Sequence, residues 1–119
     1  MLGKAVCVAL LLSALLLGGA ADDDDKHNFS DCRSQRGDRK LLEKTVTRTY
    51  KLLGYTSSNM AYSNPDARIN CIEVIDLKND GHGGYASIES GGVGHSNVTI
   101  HFESQFSRGF SFTVKIYGQ

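Results

Sequence analysis

Tryptophan is absent from these 119 residues, proline occurs once, at Pro65, and no apolar run after residue 21 is long enough to span a bilayer. Thirteen Lys and Arg balance thirteen Asp and Glu, so the chain as a whole has no net charge to draw it to nucleic acid or to an acidic partner. No glycine-rich loop leads into a helix as a phosphate cradle requires, and Ser87, Ser90 and Ser104 lie in no nucleophile-elbow context. His27, His82, His95 and His101 share no helix-face spacing, and none stands beside a paired cysteine, which leaves zinc without a ligand set. The sequence predicts no catalytic residues, no metal and no cofactor, and hence no enzyme.

The amino terminus carries more information. Met1 to Ala21 has one cation at Lys4, an apolar core from Ala5 to Leu17 and small residues from Gly18 onward, the organisation of a secretory signal peptide over residues 1–20. Its removal takes Cys7 and leaves Cys32 and Cys71, which an oxidising compartment would join in one disulfide. Closing that loop stabilises the fold by roughly 3.5 to 4 kcal/mol in the chain-entropy view. Asp22 to Asp25 followed by Lys26 is the recognition sequence of enteropeptidase; a released pro-segment, a passive self-repelling leader and an engineered tag all account for it. Residues 21–36 read as an acidic leader and flexible arm, and residues 37–119 as a single β domain. Two sequons, Asn28-Phe29-Ser30 and Asn97-Val98-Thr99, predict a glycoprotein.

The rest is written with a period of two. Val98, Ile100 and Phe102 alternate with Asn97, Thr99, His101 and Glu103, and Phe110, Phe112, Val114 and Ile116 repeat the pattern, predicting a closing hairpin of two half-buried strands. Ile69 to Leu77 is apolar on both faces, as a central strand is. Leu42, Val46, Tyr50 and Leu53 have helical spacing, but Thr45-Val46-Thr47 and Thr49 favour a strand over Leu41 to Leu53. Thr56 to Asp66 reads as a loop with a short extended piece at Met60 to Tyr62, and Tyr85 to Ser90 as a short strand between glycine turns. The expected fold is all-β, a small antiparallel sandwich or compact barrel of about five to six strands preceded by the signal peptide.

Three local motifs invite chemistry. Asp76 to Gly81 has the outline of a calcium loop, but Lys78 at its third position and Ser87 at its twelfth remove charge the ion requires, leaving a turn. Arg36-Gly37-Asp38 is the tripeptide of integrin ligands, here running straight into a strand. Arg33 to Lys51 holds seven cations against Asp38 and Glu43; without interleaved aromatics this reads as a solvated strand face, with no direct nucleic-acid binding.

Gly37-Asp38-Arg39 with Leu41-Leu42, Ile72, Ile75 and Asp76, Gly83-Gly84-Tyr85-Ala86, Gly91-Gly92 with Gly94, Val98-Thr99-Ile100, Phe102, Ser104-Gln105, Gly109, Val114 and Ile116-Tyr117-Gly118 come in the order and spacing of one family. Over about Gly37 to Tyr117 the chain resembles the insect multiprotein bridging factor type two proteins, which include salivary secreted peptides and response-to-pathogen proteins. Val93 stands where that pattern has proline, and Phe106 where a basic residue is common. The resemblance implies one of two roles. One is a secreted, non-enzymatic effector of gut, saliva, venom or immune response; the other is a nuclear co-activator bridging a DNA-bound regulator and the general transcription machinery. Either needs a protein partner, for which Tyr85, His101, Lys115 and Tyr117 on polar strand faces are the candidate surface.

Overall fold

Seven strands and no helix are built from residues 27–78 and 80–119, the part of the chain that the computed structural model describes. The signal peptide expected from the sequence and the acidic run Asp22 to Lys26 lie outside the described residues. The strands are β1 (Phe29–Cys32), β2 (Arg39–Arg48), β3 (Ser57–Ser63), β4 (Ile69–Asp76), β5 (Tyr85–Gly91), β6 (Asn97–Glu103) and β7 (Phe110–Gly118). They form two antiparallel sheets, one of four strands in the order β1-β4-β7-β2 and one of three in the order β3-β6-β5.

The alternation in the sequence dictates how the sheets meet. On β7, Phe110, Phe112, Val114 and Ile116 are buried while Ser111, Thr113, Lys115 and Tyr117 are half-buried on the outer face. On β6, Val98, Ile100 and Phe102 are buried in the same way. These two rows, with Val46, Met60, Ile72 and Val74, form one core between the sheets. Phe102, Phe110 and Phe112 meet there with ring centroids 5.3 to 5.8 Å apart, within the range of favourable aromatic pairing.

The architecture is therefore an open sandwich, not a closed barrel, and it has seven strands rather than five or six. Strand β3 takes most of what reads as a loop: its outer residues Ser57, Asn59, Ala61 and Ser63 are exposed and only Met60 is buried, so backbone pairing with β6 holds it. Strand β1 falls inside the stretch read as an arm, paired in register with β4 from Phe29↔Val74 to Cys32↔Cys71. The expected closing hairpin is absent: β6 and β7 belong to different sheets, because residues 104–109 carry the chain across the sandwich. Strand β2 ends at Arg48, five residues short of the expected Leu53.

Candidate functional site

The four residues expected to form a surface do not form one patch. Tyr85 and His101 project from the outer face of the three-stranded sheet, where Tyr85 pairs with Glu103 and Ser87 with His101. His101 Nδ1 lies 2.7 Å from Asn59 Oδ1, and the Tyr85 ring packs on buried His27 at 5.0 Å. Lys115 and Tyr117 belong to β7 in the other sheet. Lys115 stands in register between Glu43 and Glu73, with Nζ 3.9 Å from Glu43 Oε1. Glu43 is held more closely by Lys40 at 2.8 Å, a hydrogen bond that lowers the Glu43 pKa and raises that of Lys40. Both partners are solvated, so this row orients charge more than it stabilises the fold.

The other motifs settle into structural roles. Cys32 and Cys71 are joined in a disulfide, so their sulfurs, although grouped with Glu73, offer no thiolate to a metal. Asp38 is not presented as an adhesion ligand: its carboxylate accepts hydrogen bonds from Gln35 N at 2.8 Å, Asn70 Nδ2 at 2.8 Å and Gln119 Nε2 at 3.0 Å. Those bonds, the Gln35 backbone first, hold its pKa below the usual aspartate range. In the calcium-like turn, Asp76 accepts Lys78 N and Asp80 accepts His82 N, bonds that close turns. The bond from the His82 backbone also lowers the Asp80 pKa. Both sequon asparagines are exposed. Asn28 Oδ1 accepts the N–H of Asp76 at 2.8 Å, and Asn97 opens β6.

A different surface stands out. At the end of the sandwich where β2, β4 and β6 finish and β3, β5 and β7 begin, three connections meet: residues 49–56, 77–84 and 104–109. The last is their hub. Ser107 Oγ accepts Leu53 N at 2.8 Å and Ser107 N donates to Gly54 O at 2.7 Å. Gln105 Nε2 donates to the carbonyls of Gly81 and Gly83 at 3.0 and 2.9 Å. Ser104, buried, exchanges hydrogen bonds with the backbone of Thr56.

Among the described residues, the large apolar side chains left exposed all lie at this end: Tyr50, Leu52, Leu53 and Tyr55 in the first connection, Leu77 after β4, Phe106 in the hub, and Tyr85 at the start of β5. Tyr55 and Phe106 pack across the two loops as a tilted ring pair, with centroids 5.5 Å apart. Leu53 adopts a left-handed backbone, φ 57°, uncommon outside glycine; it turns the leucine outward to 76% exposure. Beside these groups opens a cleft of about 350 Å³ whose charged lining is Arg48, Lys78 and Arg108. Sequence reading missed the site because apolar residues are read as core. The signal available was the unbalanced run Arg48 to Thr56, with two cations, four large apolar residues and no acid.

Comparison with known proteins accords with the resemblance. The family described as transcription activator MBF2 matches residues 33–118. A Bombus ignitus protein described as a "probable salivary secreted peptide" is 46% identical over 52 residues, 44% of this chain and 39% of the relative. The chain thus spans well under half the length of that relative. No solved structure matches.

Proposed function

The chain belongs to the MBF2 transcription activator family, and from that premise we propose that it is a secreted, non-enzymatic binding protein of an insect. The observation that carries this reading is the Cys32–Cys71 disulfide, a bond that persists in oxidising compartments and is rare in the nucleus and cytosol. The likeness to a salivary secreted peptide and the signal-type amino terminus support the same compartment. The partly exposed, loop-bearing end of the sandwich supports contact with a partner rather than covalent chemistry.

A second reading, a nuclear co-activator that bridges other proteins, is favoured by the family description itself. It requires a reduced, unglycosylated chain. Expressing the full sequence in insect cells and following both medium and nuclei decides between the two. The secreted reading expects protein in the medium beginning at residue 21 or 22, with the disulfide closed and a glycosidase-sensitive mass at Asn28 or Asn97. A nuclear protein that retains Met1 and carries titratable thiols overturns it.

A further inference from the structure

We propose that the loop end of the sandwich is a docking surface for anionic lipid membrane. The apolar groups there are not scattered. Leu52 and Leu53 are 73% and 76% exposed at the tip of one connection, the rings of Phe106 and Tyr55 pack on each other beside them, and Tyr50 flanks the cleft. Contiguous exposed apolar surface on a small domain marks an interaction site. Tyrosine with leucine and phenylalanine is the mixture suited to the boundary between headgroups and acyl chains.

Charge decides the kind of partner. Lys51 lies between Tyr50 and Leu52, and Arg48, Lys78 and Arg108 line the cleft behind the tip. Connections 49–56 and 104–109 contain no Asp or Glu. The acids nearest this end are Asp76 and Asp80, held by backbone N–H groups in their own turns, and Glu103 at the end of β6. An apolar tip with cations beside it and no acid in the two connections that carry it complements acyl chains backed by anionic headgroups, each cation near such a surface adding to the attraction.

The loops are also built to hold the tip out. The hub hydrogen bonds from Ser107 to Leu53 and Gly54, and from Gln105 to Gly81 and Gly83, satisfy backbone groups within the three connections. Little further ordering is then needed on docking. The inference concerns the chain itself and does not rest on its compartment, so vesicle binding succeeds or fails separately from the secretion test.

The experiment uses the purified, oxidised protein and vesicles of phosphatidylcholine with and without phosphatidylserine. Co-sedimentation is expected with the phosphatidylserine vesicles, at least about tenfold stronger than with phosphatidylcholine alone and weakened by salt. Leu52→Ser with Leu53→Asn, both at exposed positions, should cut that binding by about tenfold or more with the circular dichroism unchanged. Lys51→Glu with Arg108→Glu should abolish the preference for phosphatidylserine. Since the chain has no tryptophan, Phe106→Trp supplies a single indole whose emission should shift to the blue and be quenched by lipids brominated in the acyl chain. Absence of sedimentation, binding that survives the leucine changes, or an unquenched indole overturns the proposal. So does self-association or heparin capture that is lost in these variants while vesicles are not bound.

Discussion

Cys32 and Cys71 are direct cross-strand partners in the β1–β4 ladder, so the disulfide joins two residues that backbone pairing already sets side by side. Strand β1 is four residues long and sits at a sheet edge, too short to hold itself. The bond adds a covalent tie to the ladder and to the flanking hydrogen bonds from Asp76 N to Asn28 Oδ1 and from Arg33 N to Asn70 O. Replacing both cysteines by alanine opens a loop with a sequence separation of 39 and should cost roughly 4 kcal/mol, a fall in Tm on the order of 20 °C. Thermal melts of the oxidised protein and the double variant test this; a drop of only a few degrees would show that the ladder suffices.

Gly109 is where the hub connection passes against the end of β2. A Cβ there would run into the Arg48 carbonyl oxygen and lie 2.9 Å from Thr49 C and Tyr50 N, backbone atoms that cannot swing aside. Gly109→Ala should therefore destabilise by about 2 kcal/mol or more. Gly81 has a positive φ of 81° but open space around it, so Gly81→Ala should cost only about 1 kcal/mol. Denaturant titration of the two variants measures the difference, and equal losses would contradict the close approach.

Phe112 is fully buried and packs against the rings of both Phe102 and Phe110. Truncating it to alanine removes a ring from the middle of the only core found among the described residues, a change worth roughly 3 to 5 kcal/mol. In a domain this small such a loss should leave much of the population unfolded at physiological temperature. A cooperative melt close to that of the parent protein would refute the assignment.

Asp38 links the β1–β2 connection to Asn70 and Gln119. Its pKa is lowered in the folded chain, first by the bond from the Gln35 backbone. A lowered folded pKa means that the stabilisation is complete above the unfolded value, about 4, and is lost as pH falls through the folded value. Asp38→Asn should melt lower than the parent at neutral pH, and the gap should close under acid. Melting curves taken from pH 6 downward would show it; a constant gap would remove Asp38 from the acid response.

What the sequence made legible follows from how strongly each strand is patterned. The rows Val98-Ile100-Phe102 and Phe110-Phe112-Val114-Ile116 gave β6, β7 and the core, and the threonines around Val46 correctly outweighed the helical spacing of Leu42 and Tyr50. Of strand β3 only the extended piece at Met60 to Tyr62 was legible, since Ser57, Asn59, Ala61 and Ser63 look the same in a loop as on a solvated strand face. The hairpin expected of β6 and β7 failed because periodicity fixes which face is buried but not which sheet a strand joins. The loop end was hidden for a related reason: Leu52 and Leu53 differ from core leucines only in what surrounds them.

The strand order also bears on how the molecule is made. No two strands adjacent in sequence are neighbours in the four-stranded sheet, and Thr47, whose hydroxyl meets that of Ser111 at 2.8 Å, precedes it by 64 residues. At ribosomal speeds β2 waits roughly 3 to 13 seconds for β7 to be synthesised. During that interval β2 has no ladder, and Lys40, Lys44 and Arg48 place charge along it where an unpaired apolar strand would invite association. The sheet that carries the disulfide thus closes late, after most of the chain exists, and its folding should be governed by long-range search rather than by local hairpins.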